Sequence, residues 1–219
     1  MTVFKDRNDA GRKLAERLRS YESRDDVIVL GLPRGGVPVG YEVALSLGAP
    51  LDIFLVRKLG VPGQEELAMG SIASGGVMVK NEDIISAADI THESLETVAA
   101  EERQELLRRE SEYRGDNPPP RVKDRVVILV DDGLATGASM RAAVESVRKM
   151  EPREVVVAVP VADPQVCREF EREADNVVCV ETPRPLHGVG AWYDEFEQVS
   201  DRDVKAILNS SRQSTQLGR

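Results

Sequence analysis

Two adjacent carboxylates, Asp131 and Asp132, end the apolar run VVILVDD. The turn that follows consists of Gly133, Leu134, Ala135, Thr136, Gly137, Ala138 and Ser139. The free backbone N–H groups of such a turn, with the positive end of a following helix dipole, are suited to bind a phosphate. Because the carboxylates would repel that phosphate, we expect them to bind either vicinal sugar hydroxyls or a divalent cation. This pattern predicts a ribose 5-phosphate site.

A second candidate anion site consists of Arg34, Gly35 and Gly36, which come directly after the apolar segment 27–32. Glycines let the backbone approach a ligand closely, and a guanidinium group matches the geometry of phosphate oxygens. The same residues also fit a simple tight turn. Together with the turn after Asp132, they favour a second anion-binding loop at the same edge of a sheet.

Arg57 and Lys58 follow the apolar segment 51–56 and precede a long stretch that glycine and proline interrupt. This pattern predicts a mobile, positively charged loop beside an anion site, with a short hairpin that turns at Gly75 and Gly76. A solvent-exposed charge pair at a strand end is the alternative.

Near the end of the chain, His187, Trp192, Tyr193 and Phe196 lie close together in sequence. Aromatic residues make up only 4% of the chain, so this group is conspicuous. We expect either a hood that stacks on a flat substrate or an apolar cluster that covers one edge of the sheet.

Strand-like and helix-like segments alternate along the chain, which predicts an α/β fold. The predicted strands are residues 27–32, 51–56, 126–130, 154–160 and 176–180. The predicted helices are residues 6–21, 38–48, 92–114, 138–150 and 163–172. We expect a mainly parallel twisted sheet with helices on both faces and ligands at the carboxyl ends of the strands. The first helix is amphipathic, and we expect a structural role for it.

The chain has 219 residues, of which 41% are hydrophobic and 31% charged, and its formal net charge is −9. This composition predicts a globular protein with one main domain and argues against a general nucleic-acid binder. The sequence shows no apolar run of membrane-spanning length and no signal-peptide-like start, so we expect a cytoplasmic protein without a membrane partner. Cys167 and Cys179 are expected to be buried free thiols.

The stretch VVILVDDGLATGAS resembles the motif that binds 5-phosphoribosyl 1-pyrophosphate (PRPP) in type I phosphoribosyltransferases. The resemblance implies a Mg²⁺-dependent enzyme that transfers ribosyl 5-phosphate from PRPP to a nitrogen base or related acceptor and releases pyrophosphate. A PRPP-binding sensor without turnover is the alternative function. Response-regulator receivers match less well because their acidic pair lies on the first strand, and a Walker A loop is excluded because no Gly-Lys-Ser/Thr sequence follows.

The resemblance also implies roles for individual residues. In chain order these are pyrophosphate binding by Arg34, Gly35, Gly36, Arg57 and Lys58, ribose binding by Asp131 and Asp132, 5-phosphate binding by residues 133–139, base contact by His187, Val189 and Trp192, and metal contact by Asp194. Lys58, Arg57 and Asp132 are the candidate catalytic residues, and Asp131 and Asp132 are further candidate metal ligands. Relatives often carry a cis peptide in the pyrophosphate loop, which in this chain predicts a cis bond between Pro33 and Arg34.

The resemblance finally implies how the chain is divided. Residues 1–208 would form the phosphoribosyltransferase domain, with a flexible loop at 57–80, a helical insertion at 82–115 and a hood at 181–199. We expect residues 209–219 to be a disordered polar tail. The implied partners are PRPP, a base or amine acceptor and a second copy of the chain in a homodimer.

Overall fold

The computed structural model describes residues 3–115 and 117–217, and the chain forms two compact units. The first unit comprises the chain up to Phe54 and from Pro120 onward, and the second comprises Leu55–Pro119. Residues 57–80 and 82–115, which we expected to be a loop and an insertion of one domain, lie together in the second unit, which has its own apolar core.

Strands and helices alternate through most of the described chain. The strands are β1 (Val27–Gly31), β2 (Leu51–Ile53), β3 (Val56–Val61), β4 (Gln64–Ala73), β5 (Val77–Lys80), β6 (Val126–Val130), β7 (Glu154–Val161) and β8 (Asn176–Glu181). The α-helices are α1 (Arg7–Arg17), α2 (Gly36–Leu47), α3 (Glu82–Ala87), α4 (His92–Arg114), α5 (Ala138–Arg148), α6 (Pro164–Phe170) and α7 (Asp201–Leu217).

The first unit is built on a five-stranded parallel sheet in the order β2-β1-β6-β7-β8. Every residue of β1 and β6 is buried, as expected for parallel strands that other elements cover on both faces. These two strands pair in register from Val27 and Val126 to Gly31 and Val130. The segments that follow them therefore leave the same edge of the sheet. The predicted α/β class is confirmed.

The predicted strand 51–56 is instead divided between β2 and β3. The backbone N–H of Phe54 donates to the carbonyl of Gly31, so Phe54 continues the first unit. The N–H of Leu55 donates to the hydroxyl of Ser74 in the second unit. The apolar run 51–56 thus crosses the boundary between the two units, which its composition does not reveal.

The second unit contains the antiparallel sheet β3-β4-β5 and helices α3 and α4. The predicted hairpin is confirmed, because Gly75 and Gly76 have φ of 81° and 75° between β4 and β5. The predicted helix after Thr91 is also confirmed, and the Thr91 hydroxyl caps α4 by accepting from the N–H of Ser94. Residues 57–80 are not an open loop, since apolar side chains on β3 and β4 pack on α4.

Residues 209–217 continue helix α7, so the expectation of a disordered tail is wrong for them. Residues 218 and 219, which the same expectation covered, lie outside the described residues. The apolar side chains of Val204 and Leu208 lie four residues apart and are fully buried, and Ser211 is buried one turn later. This spacing keeps one face of the helix on the first unit. Among the helices of the described chain, none is both long and apolar enough to span a membrane.

The two cysteines are joined rather than free. Cys167 of α6 and Cys179 of β8 form a disulfide, with their Cα atoms 7.1 Å apart. The expectation of free thiols is wrong because α6 packs against β8, which brings together residues that the sequence separates by 12 positions.

Candidate functional site

The acid pair lies directly after β6, where the strand delivers it to the sheet edge. The carboxylate of Asp131 accepts a hydrogen bond of 2.9 Å from the backbone N–H of Asp132. Burial raises the pKa of Asp131 well above its ordinary value, and the neighbouring charge of Asp132 raises it further. Burial also raises the pKa of Asp132, while a guanidinium group, that of Arg7, opposes this effect. An arrangement of this kind favours a ligand that brings hydrogen-bond donors or a cation to the pair.

The turn that follows has the features of an anion site. Leu134 anchors it, because its N–H donates to the carbonyl of Val161 and its carbonyl accepts from Asp163. Within the described chain, the N–H groups of residues 135–139 donate to no other group. The side chains of Thr136 and Ser139 are exposed, so their hydroxyls are available too. These unpaired donors stand at the N-terminus of α5, where the helix dipole favours an anion.

Gly137 shapes this turn in two ways. Its φ of 71° lies in the left-handed region, which glycine adopts without strain. A Cβ at this position would also come within 2.9 Å of Phe170 and Val166 on α6. The turn therefore depends on a residue without a side chain.

The segment after β1 reaches the same edge of the sheet. The N–H of Leu32 donates to the carbonyl of Val130 at 2.8 Å, which ties the two strand ends together. The peptide between Pro33 and Arg34 is cis, as predicted. Arg34 is exposed, and its side chain forms no ion pair with any residue in the described ranges. A free guanidinium group therefore stands beside the acid pair, as a pyrophosphate loop would need.

Gly35 and Gly36 allow this segment to touch the acid pair. A Cβ on Gly35 would lie 2.0 Å from Oδ2 of Asp132, and one on Gly36 would lie 2.4 Å from the carbonyl oxygen of Val130. Such distances are far inside van der Waals contact. Both glycines are thus required by close approach, which favours the interpretation of an anion-binding loop over that of an ordinary turn.

Arg7, at the start of α1, is a residue of this site that our sequence analysis missed. Its Nε and Nη2 atoms each lie 2.9 Å from Oδ2 of Asp132, and its Nη1 donates to the carbonyl of Glu197 at 2.7 Å. Its guanidinium carbon lies 3.8 Å from the centre of the Phe196 ring. One signal could have been noticed, because a cation in the first turn opposes the helix dipole and so calls for a partner elsewhere.

The aromatic residues near the end of the chain were predicted to form either a stacking hood or an apolar cluster, and the structure shows features of both. Tyr193 is buried with Phe4 in an apolar cluster, and its hydroxyl donates to the backbone carbonyl of Asp132 at 2.6 Å. Burial raises the pKa of Tyr193 well above its ordinary value, so the tyrosine remains a neutral donor. Phe196 is more exposed and packs on Tyr193, with ring centres 4.9 Å apart.

An open cavity of about 420 Å³ lies at this edge of the first unit. It is lined by Arg7, Arg34, Gly35, Asp132, Phe196, Glu197, Gln198 and Val199. The structure thus brings Arg34 and Gly35 of the predicted pyrophosphate loop to one cavity with Asp132, whereas Asp131 and Gly36 do not line it. The aromatic residue that faces it is Phe196 rather than the predicted Trp192.

The residues predicted for the base and the metal lie elsewhere in the segment. Val189 and Trp192 pack against the apolar cluster around Tyr193. His187 is exposed, and the backbone N–H of Asp194 donates to the carbonyl of Phe4. None of these four side chains lines the 420 Å³ cavity.

Binding of a magnesium ion by the acidic residues would depend on ligands from a substrate. In residues 3–115 and 117–217, no three ligating side chains converge on one point as a protein-only metal site requires. Mg²⁺ commonly binds through one or two carboxylates together with substrate phosphates. The pair Asp131 and Asp132 therefore fits an ion that arrives with a phosphorylated substrate.

Arg57 and Lys58 lie on β3 in the second unit, and each has an acidic partner there. Arg57 pairs with Glu102 of α4. Lys58 lies 3.3 Å from both the carboxylate and the backbone carbonyl of Glu66. Both residues lie within β3 rather than at a strand end, and any role with a ligand requires exchange of these partners.

Comparison with known proteins gives a consistent result. A family model described as the phosphoribosyl transferase domain matches residues 4–192. A Mycobacterium tuberculosis protein named "Putative phosphoribosyl transferase Rv0571c" is 44% identical over 209 residues, which is 95% of this chain and 47% of that protein. The chain thus spans about half the length of this curated relative.

Two further matches extend the comparison. The crystal structure of TT1426 from Thermus thermophilus has 46% identity and a TM-score of 0.85, and the match covers 96% of this chain and 99% of that one. The bifunctional protein PyrR of Clostridium acetobutylicum is 31% identical over 138 residues, which is 62% of this chain and 57% of that protein. On the family match and these identities, the chain belongs to the phosphoribosyl transferase domain family.

Proposed function

We propose that this protein transfers ribosyl 5-phosphate from PRPP to a nitrogen base or a related amine, with Mg²⁺ as cofactor and pyrophosphate as the second product. One observation carries the proposal. In a member of this family, an acid pair, a turn with unpaired N–H groups and a free Arg34 meet at one sheet edge. These groups match the hydroxyls, the 5-phosphate and the pyrophosphate of PRPP, respectively.

In this proposal, the turn, the acid pair and Arg34 each bind a different part of PRPP. The 5-phosphate accepts hydrogen bonds from the N–H groups of residues 135–139 and from the hydroxyls of Thr136 and Ser139. The ribose hydroxyls donate to Asp131 and Asp132. Arg34 binds the pyrophosphate, and Gly35 lets the backbone come close to it.

Catalysis is mainly electrostatic in this proposal. As the bond from the anomeric carbon to pyrophosphate breaks, positive charge grows on the ribose and negative charge on the leaving group. Asp132 stabilises the first charge and Arg34 the second. Bound Mg²⁺ would neutralise part of the pyrophosphate charge, and Asp131 and Asp132 are the residues that would hold it. Asp132 is also the candidate to accept a proton from the acceptor.

Arg57 and Lys58 remain predictions for stabilising the leaving group. Each would have to exchange its glutamate, Glu102 or Glu66, for the pyrophosphate. The predicted base contacts of His187, Val189 and Trp192 and the metal contact of Asp194 likewise remain proposals. A homodimer and a cytoplasmic location remain expectations.

The test is a pyrophosphate-release screen over nucleobases, carboxylated heteroaromatic bases and small amines, with PRPP and Mg²⁺. We expect release with at least one acceptor, and none when PRPP or Mg²⁺ is omitted. PRPP binding without release for any acceptor would favour the sensor function. Absence of PRPP binding by calorimetry would overturn both.

A further inference from the structure

The contact between Arg7 and Asp132 uses only one carboxylate oxygen. The Nε and Nη2 atoms of Arg7 both lie 2.9 Å from Oδ2 of Asp132. Within the described ranges, no side chain donates to Oδ1, and the one backbone group that acts on this carboxylate is the N–H of Asp132 itself. One oxygen is therefore saturated by the protein, while the other keeps its capacity to accept hydrogen bonds.

Arg7 is itself held firmly, unlike the arginine of an ordinary surface ion pair. Its Nη1 donates to the carbonyl of Glu197, and its guanidinium group stacks on the ring of Phe196. The side chains of Arg7 and Asp132 are only 12% and 16% exposed. Restricted solvent access and three directed contacts make this pair stronger and better oriented than an exposed one.

Asp132 is confined on two other sides. Its Oδ2 lies so close to Gly35 that a Cβ there would be 2.0 Å away. Its backbone carbonyl accepts from the hydroxyl of Tyr193. With the backbone fixed by Tyr193, the orientation of the carboxylate depends on Arg7, because Arg7 alone donates to it from the described side chains.

We propose that Arg7 is a positioning residue, which turns Oδ2 of Asp132 toward α1 and leaves Oδ1 to accept a hydroxyl of the ligand. The proposal rests on the proposed function to the extent that the ligand is PRPP or another ribose 5-phosphate. Arg7 belongs to a helix 125 residues away in sequence from Asp132, so this role lies outside the motif that follows β6. The N-terminal helix thereby becomes part of the binding site.

A purely structural tie between α1 and the segment of Glu197 would produce the same contacts. The two roles differ in what a substitution changes. A structural tie would affect the unfolding midpoint and leave the PRPP affinity of the folded protein unaltered. A positioning role would lower the affinity in variants that remain fully folded, and a guanidinium ion added from solution would restore it.

The experiment compares PRPP binding by calorimetry in Arg7→Ala, Arg7→Gln and Arg7→Lys with the parent. The control is Arg12→Gln on the same helix, whose side chain is 54% exposed and lies 3.5 Å from Glu42. We expect the dissociation constant to rise about 10- to 100-fold in Arg7→Ala and Arg7→Gln, as is usual when a hydrogen bond to a charged group is lost. The dissociation constant of Arg7→Lys should lie between those of the parent and of Arg7→Ala, because an ammonium group keeps the charge but lacks the planar arrangement of donors of a guanidinium group.

The second part of the experiment adds ethylguanidinium ions to Arg7→Ala. We expect them to restore at least part of the PRPP affinity and not to change that of Arg12→Gln. Equal affinities for folded parent and Arg7 variants would overturn the proposal while leaving the proposed function intact. If the parent itself binds no PRPP, the proposed function fails. Crystal structures of parent and Arg7→Gln then decide the role of Arg7, because an Asp132 carboxylate with unchanged orientation in the variant overturns it.

Discussion

The turn at residues 133–139 and the contact of Arg7 with Asp132 represent two ways to build a site in the same unit. The turn offers backbone N–H groups, whose positions follow from local conformation and from the start of α5. The contact joins side chains from α1, the end of β6 and the segment around Phe196. A site built from neighbouring residues of one turn can be recognised in the sequence. A site built from side chains of distant segments depends on the whole fold and cannot.

The largest effect is expected when both carboxylates lose their charge. In the double variant Asp131→Asn, Asp132→Asn, the PRPP dissociation constant should rise about 10²- to 10⁴-fold, because two charged acceptors for the ribose hydroxyls are lost. Calorimetric titration with and without Mg²⁺ measures this. An affinity within twofold of the parent would show that the acid pair does not bind the sugar.

The next effect concerns Lys58, a cation outside the first unit. If it meets pyrophosphate mainly as the bond breaks, Lys58→Ala should lower turnover about 10²- to 10³-fold and change PRPP affinity much less. Steady-state kinetics with an acceptor from the screen measure the split between kcat and binding. The exposed Lys80 at the end of β5 provides the matched control, Lys80→Ala. Equal turnover in both variants would remove Lys58 from the catalytic residues.

A smaller effect isolates the backbone of the anion turn. Gly137→Ala should lower stability by about 2–4 kcal/mol and weaken PRPP binding, because it adds both left-handed strain and contact with Phe170. The control is Gly48→Ala, where φ is 65° but a Cβ would meet nothing within 4 Å. That variant should show the strain alone, about 1–2 kcal/mol. Urea unfolding compares them, and equal losses would contradict a packed turn.

The smallest effect is on stability without ligand. Because burial and Asp132 raise the pKa of Asp131, the folded parent loses stability as pH rises from the unfolded-state pKa, about 4, to that raised value. Asp131→Asn has no charge to bury, so at pH 7 its melting temperature should exceed that of the parent by about 2 °C.

The pH dependence provides the check on this prediction. The difference between parent and Asp131→Asn should vanish below about pH 4, where the parent carboxyl is protonated in both folded and unfolded states. Asp132→Asn should raise the melting temperature less than Asp131→Asn does, because the guanidinium group of Arg7 opposes the effect of burial on the pKa of Asp132. A fall in both variants would contradict the assignment of Asp131 as the uncompensated acid.

The sequence sufficed for features that local chemistry determines. The run 126–130 with its acid pair, the two glycine-containing loops and the long helix after Thr91 could all be predicted from spacing and residue type. The expectation that the loops after residues 32 and 130 lie at the same edge of a sheet follows from the parallel class, whereas the direct pairing of β1 with β6 is seen in the structure. These features need no knowledge of distant side chains.

Other features depend on contacts that the sequence does not display. Arg7 reaches Asp132 across 125 residues. Phe196 lines the cavity, whereas Trp192 packs against the apolar cluster that contains Tyr193. The break at Phe54 and Leu55 is set by two different hydrogen-bond acceptors, Gly31 and Ser74. The cysteine pair depends on how α6 packs on β8.

The side-by-side position of β1 and β6 has a consequence for the order in which the chain folds. During synthesis, β1 and β2 emerge long before β6, and the whole of Leu55–Pro119 is made between them. Until residue 130 is available, one edge of β1 lacks its partner, and an unpaired apolar strand edge promotes association with other chains. We therefore expect fragments that stop before β6 to aggregate, and the two anion loops to form together, late in folding.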